Sequence, residues 1–339
     1  MKIPKVTQFL IFFIALGSTF VYFSFYTKRL HWTKVTEHAG WGQRDSAGEV
    51  VFNNKMWIIG GWDSSFTPGL RDVWNSQNGS EWEQIKATAS WTHGDLSTTL
   101  VFQNKIWLMG GWSGGRLPNA SASNQVWSSS DGIKWNCVSG NAEWSPRFGA
   151  AGVVFKNRMW MMGGTGRYFD GEKSDLKNDV WFSEDGERWV CATKQAPWEG
   201  RAFHCALVFD NKIWVMGGGN YLSAYEARND VWNTEDGFHW NRITKAARWP
   251  GRIWFSAVEY RERMWILGGW SNNPLKNWND VWYSRDGSNW KKLSTPSLWP
   301  ERHEQSCLVY DDKIWVMGGN QYPLKNDVWY LEIPQGEFR

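Results

Sequence analysis

Short apolar runs separated by polar turns and glycines fill most of this chain. Residues 211–220 read NKIWVMGGGN, a tight polar turn, five residues of strand character, and then glycines. Nearly the same phrase stands as NKMWIIGG at 54–61, NKIWLMGG at 104–111, NRMWMMGG at 157–164, ERMWILGG at 262–269 and DKIWVMGG at 312–319. The first glycines of the six pairs are Gly60, Gly110, Gly163, Gly217, Gly268 and Gly318, spaced by 50, 53, 54, 51 and 50 residues. A fixed period of this size signals a repeat architecture and overrides a domain count based on length.

Each unit carries the same punctuation. Nineteen residues before the first Gly stands Trp41, Trp91, Trp144, Trp198, Trp249 or Trp299, and three before it Trp57, Trp107, Trp160, Trp214, Trp265 or Trp315. After a loop of variable length comes Val-Trp, ending in Trp74, Trp127, Trp181, Trp232, Trp282 or Trp329. A turn such as SSDGIKW or SEDGERW then supplies Trp82, Trp135, Trp189, Trp240 or Trp290. These segments read as four strands, with Asn-Lys and Asp-Gly hairpin turns. Four short antiparallel strands every 50 or so residues make a propeller blade, so the predicted fold is an all-β, six-bladed propeller over 30–334, with 335–339 as a tail.

The sixth unit lacks a fourth strand. After Trp329 the chain runs YLEIPQGEFR and stops, whereas His31-Trp32-Thr33-Lys34-Val35 resembles the start of the other fourth strands. Residues 31–36 are therefore expected to complete blade six and close the ring, which removes an exposed strand edge. Ahead of them, residues 6–27 contain no charge and are flanked by Lys2, Lys5, Lys28 and Arg29. As a helix this stretch reaches roughly 33 Å, enough to span a bilayer. Residues 1–29 are thus expected to be a hydrophobic helix acting as a membrane anchor. The alternative is a signal peptide cleaved after Ala15-Leu16-Gly17. Either exports the propeller, tethered to a membrane or secreted into a periplasmic or extracellular space.

The Gly-Gly pairs, the Asn-Asp-Val-Trp phrases and the six-fold period together resemble the kelch repeat family, over about 31–332. The Ser-x-Asp-Gly-x-x-Trp turns are also similar to the Asp-box turns of sialidase-type propellers, but one residue shorter. Kelch-type propellers include binding modules and enzymes, so the resemblance speaks to fold and leaves the function open.

Composition narrows the chemistry. The 37 basic and 34 acidic residues nearly balance, which gives no support for a nucleic-acid partner. Four cysteines without a CxxC pair suggest neither a disulfide framework nor a metal site, and no cofactor is expected. Of the 29 tryptophans, 24 belong to the repeat template, counting Trp32; the others are Trp62, Trp112, Trp254, Trp270 and Trp278.

The variable loops after the Gly pairs share one face with the entries to the first strands, and binding sites favour such loops. There Trp62, Trp112 and Trp270 directly follow Gly pairs, poised to stack on a sugar or anchor a partner. Sixteen residues before each first Gly stands Arg44, Gly94, Arg147, Arg201, Arg252 or Arg302. Two readings follow. The arginines form a basic ligand-binding ring, or they pair internally with Asp72, Asp179, Asp230, Asp280 and Asp327, the residues before Val-Trp. Blade two lacks both partners, having Gly94 and Gln125.

The weak catalytic candidates are His303, Glu304 and His204. Among kelch-like families, sialic acid mutarotases use an Arg and an acidic residue on this kind of face; the copper site of the galactose oxidase family has no counterpart here. The leading expectation is an exported, non-catalytic binding module for an acidic glycan or protein. The alternatives are a carbohydrate-processing enzyme such as a mutarotase or epimerase, and a structural scaffold of an envelope complex.

Overall fold

The computed structural model describes residues 30–63, 69–167, 175–221 and 227–334. The predicted anchor or signal at 1–29 and the tail at 335–339 lie outside the described residues. Among the described residues, no helix is long and apolar enough to cross a membrane.

Six four-stranded antiparallel sheets form the blades of a propeller. Blade one comprises Gly48–Phe52, Lys55–Gly61, Leu70–Ser76 and Glu83–Lys86; blade two Thr98–Phe102, Lys105–Met109, Val126–Ser129 and Asn136–Ser139. Blade three comprises Ala151–Phe155, Arg158–Met162, Val180–Ser183 and Val190–Thr193; blade four Cys205–Phe209, Lys212–Gly218, Arg228–Thr234 and Asn241–Thr244. Blade five comprises Ser256–Glu259, Met264–Asn272, Leu275–Ser284 and Lys291–Lys292. Blade six takes Ser306–Tyr310, Lys313–Gly319 and Lys325–Glu332 from the C-terminal end, and its outer strand, Trp32–Thr36, from the N-terminal end. Trp32 lies opposite Leu331, and Lys34 opposite Trp329. The first strands abut one another in sequence around the axis, the last against the first.

The recurring tryptophans have distinct duties. The one nineteen before each Gly pair meets the fourth-strand tryptophan of its own blade edge to face. Trp41–Trp82, Trp91–Trp135, Trp144–Trp189, Trp198–Trp240, Trp249–Trp290 and Trp299–Trp32 all stand 5.8–6.1 Å apart at 84–89°. This is the preferred arrangement of two ring quadrupoles. The pair in blade six joins the two ends of the chain. Second-strand tryptophans donate their indole N–H back to the first strand, as Trp57 does to Phe52 O at 2.8 Å. Six apolar clusters lie between successive blades, each built from two neighbours.

The double glycine links blade to blade. The N–H of its second member crosses to the next blade and donates to the carbonyl of the residue sixteen before that blade's pair. These bonds run Gly61 to Gly94, Gly111 to Arg147, Gly164 to Arg201, Gly218 to Arg252, Gly269 to Arg302 and Gly319 back to Arg44, at 2.8–3.0 Å. Both glycines adopt positive φ, as at Gly60 (62°) and Gly61 (99°). A Cβ on Gly61 would stand 2.5 Å from the Asp45 carbonyl oxygen. Only glycine meets both demands.

A second interblade lock sits in the Asp-Gly turns. In blade three, Asp185 Oδ1 accepts the N–H groups of Glu187 and Arg188, and Ser183 Oγ accepts that of Gly186. Gly186 then lies flat on Trp107 of blade two, where a Cβ would meet the ring at 2.1 Å. With φ at +78° as well, Gly186→Ala is expected to lower stability by about 1–3 kcal/mol. Urea denaturation checks this, and an unchanged midpoint would contradict the packing.

Candidate ligand-binding site on the propeller axis

The arginines resolve into the internal-pairing alternative. Arg44, Arg147, Arg201, Arg252 and Arg302 each grip the aspartate of their own blade with two nitrogens. The closest contacts are 2.5–2.7 Å, to Asp72, Asp179, Asp230, Asp280 and Asp327. Each guanidinium also donates to the first carbonyl of its Gly-Gly pair, as Arg201 does to Gly217 O at 2.8 Å. The same aspartates accept the indole N–H of the Val-Trp tryptophan, as Asp230 does from Trp232. The arginine side chains are at most 3% exposed, so they present no basic ring to a ligand. Burial alone would raise the carboxyls. Hydrogen bonds and charge from the arginines outweigh it and hold Asp179, Asp230, Asp280 and Asp327 below the usual carboxylate range. In blade two, Gln125 replaces the aspartate and accepts the Trp127 N–H at 3.1 Å.

Two positions beyond each arginine site, the backbone closes a ring. Ser46, Leu96, Gly149, Phe203, Trp254 and Glu304 all sit in the left-handed region, with φ between 51° and 59°. Their N–H groups donate around the axis: Leu96 to Ser46, Gly149 to Leu96, Phe203 to Gly149, Trp254 to Phe203, Glu304 to Trp254 and Ser46 to Glu304, at 2.8–3.2 Å. Five of the six carry side chains in a conformation that disfavours them. This collar is the floor of the site.

Above the floor, the residue after each arginine site pairs with the residue after the Gly-Gly pair. The bridges are Asp45–Trp62, Asp95–Trp112, Phe148–Thr165, Ala202–Gly219, Ile253–Trp270 and His303–Asn320. The cavity they ring has a volume of about 380 Å³. Its lining is two-sided. Blades six, one and two supply His303, Glu304, Asn320, Asp45, Ser46 and Asp95. Blades four and five supply Tyr221, Trp254 and Trp270, backed by a seventh apolar cluster that includes Phe148, Phe203 and Ile253. Trp254 and Trp270 stand 5.9 Å apart, and Tyr221 lies 5.5 Å from Trp254. Trp62 and Trp112 flank the polar side, and Trp112 is fixed by donating to Gly115 O at 2.9 Å.

The polar side is a network. Ser46 Oγ lies 2.9 Å from Glu304 Oε1 and 3.2 Å from Asp45 Oδ1, and Asn320 donates to Asp45 Oδ2 at 2.7 Å. His303 stacks on Trp254 with centroids 5.1 Å apart, places Nδ1 2.7 Å from Asn277 Oδ1, and has Nε2 3.3 Å from Glu304 Oε2. Asp95 is 6% exposed, and its Oδ1 has no hydrogen-bond partner among the described residues. Burial, and then the Glu304 charge, push the Asp45 and Asp95 carboxyls well above their usual range.

The structure thus brings Trp62, Trp112, Trp270, His303 and Glu304 to one cavity. His204 is not among its lining residues. It lies on the axial channel below the collar, where burial pushes its imidazole down to about 3 and neither ring nitrogen finds a partner among the described residues. Glu49 shares that channel, and its enclosure there raises the carboxyl to about 8. Asp45, Asp95, Ser46 and Trp254 are site residues that the sequence reading did not select. Their signal was present in the two positions after the arginine column, where the blades differ from one another.

No family model matches the chain, and no curated protein matches it. Asp280→Ala would leave Arg252 buried without a counter-charge, at an expected loss of about 3–5 kcal/mol. Chemical denaturation measures this loss. A loss below about 1 kcal/mol, typical of exposed pairs, would contradict the structural role.

Proposed function

We propose that this protein is a binding module of kelch type whose ligand site is the axial cavity above the collar. The single observation that carries the reading is the two-sided lining, with aromatic rings facing a cluster of carboxylates across one half-open cavity. Aromatic walls beside a few placed polar groups are what small-molecule sites use for affinity and orientation. The ligand is a compact molecule with an apolar face for stacking and with groups that donate hydrogen bonds to Asp45, Asp95 and Glu304.

An acidic glycan, the partner expected from the arginines, suits this cavity poorly. Those arginines are held by aspartates, and three carboxylates face the space instead. Export supports an encounter with extracellular solutes: the uncharged stretch at 6–27 is long enough to anchor or deliver the propeller.

A thermal-shift screen of the full chain against neutral sugars, amino sugars, uronates and acidic peptides tests the reading. A cavity ligand raises the melting temperature, and Trp270→Ala reduces that rise, whereas Arg302→Ala lowers the starting temperature instead. Shifts that survive Trp270→Ala unchanged, or that come from uronates alone, would place the site elsewhere.

A further inference from the structure

We infer that the cavity selects a ligand bearing an organic cation, an amine or methylated ammonium seated between the rings of Trp254, Trp270 and Tyr221 and the carboxylates of Asp45, Asp95 and Glu304. The inference rests on the axial cavity being the ligand site. It adds the chemical class of the group recognised there.

Hydrogen-bond capacity points this way. The three carboxylates offer six acceptor oxygens. The protein groups seen beside them are the Ser46 hydroxyl, the Asn320 amide and His303 Nε2. The Ser46 hydroxyl lies within reach of both Asp45 and Glu304 but has one hydrogen to give. Asp95 Oδ1 has no partner among the described residues, although the residue is buried and lines the cavity. The indole N–H groups of Trp62 and Trp254, also in the lining, lack partners among the described residues too, so a complementary ligand accepts as well as donates, and the three carboxylates call for positive charge.

Charge points the same way. Three carboxylates around one half-open cavity repel one another, and against them the described lining sets one guanidinium, that of the exposed Arg116. His303 adds charge only when protonated. Without a cation the cluster relieves its repulsion by holding protons, which is the direction seen for Asp45 and Asp95. A bound cation does the same work, so cation and proton compete.

The opposite wall fits an organic cation better than a metal ion. Indole faces attract ammonium groups most strongly of the aromatic side chains, and Trp254, Trp270 and Tyr221 lie within 5.9 Å of one another. Among the described residues, no three His, Cys, Asp or Glu side chains are placed to hold a metal. At about 380 Å³ the cavity also exceeds the needs of a bare ion.

Titration calorimetry of the full chain with matched probes tests the inference. Choline is paired with its neutral isostere 3,3-dimethylbutan-1-ol, and glucosamine with glucose, each at about pH 5.5 and about pH 8. The cation of at least one pair is expected to bind about tenfold more tightly than its neutral partner. Because Asp45 and Asp95 must ionise to hold it, that advantage grows as the pH rises and shrinks as they protonate. Asp95→Asn is expected to remove most of the advantage, weakening the cation's binding far more than the neutral probe's. Neutral probes binding as tightly as cations would overturn the cation selectivity and leave the cavity as the ligand site. Absence of binding by all four probes, or cation binding insensitive to both Asp95→Asn and Trp270→Ala, would overturn the inference; the first of these would count against the cavity as well.

Discussion

Six backbone hydrogen bonds passing from blade to blade around the axis hold the centre of this protein. The residues that make them, from Ser46 to Glu304, are all left-handed, and five are not glycine. Each such residue costs about 1–2 kcal/mol of local strain, and a hydrogen bond returns a net of about 1 kcal/mol. The collar therefore does not stand by itself. It depends on the blades being pressed into a closed ring, which the tryptophan pairs, the buried Arg–Asp pairs and the strand from residues 32–36 achieve. Strained backbone of this kind persists where the surroundings over-determine it, and it clusters at functional sites.

The collar also explains where the repeat is uniform and where it is not. Positions that recur in five of the six blades serve each of those blades in the same way. Arg201 holds Asp230, Asp230 holds Trp232, and Asn229 reaches the Trp249 carbonyl of the next blade. A ring of identical groups of this sort is architecture. The collar carries a different residue in each blade, and the position before it five kinds of residue across six blades, because their backbones alone do the structural work. Three carboxylates fall on adjacent blades six, one and two, and aromatic rings gather on four and five. The two-sidedness of the cavity follows from that freedom.

Much of the fold was legible in the sequence. Six Gly-Gly pairs, four tryptophan columns and the unit split between the chain ends specify six blades and their closure, since Trp32 reads as a fourth-strand residue. The site was legible only in part. Trp62, Trp112 and Trp270 stood out because they follow the glycines, and Glu304 because it follows His303. The arginines drew attention for the opposite reason: they recur, and their recurrence marks a structural duty. Asp45 and Asp95 were hidden because nothing local shows that residues 50 apart in the chain converge on one axis, or that left-handed neighbours aim them at a shared cavity. The ligand charge proposed here is opposite to the one expected from sequence, because the guanidiniums are buried and carboxylates line the cavity.

The collar holds the centre of the propeller as a single cooperative unit, which native-state hydrogen exchange reads directly. The amides of Ser46, Leu96, Gly149, Phe203, Trp254 and Glu304 should exchange together, with protection close to that of global unfolding. Exchange of these six amides one by one, at free energies well below the global value, would show that the ring does not act as one element and would contradict the account.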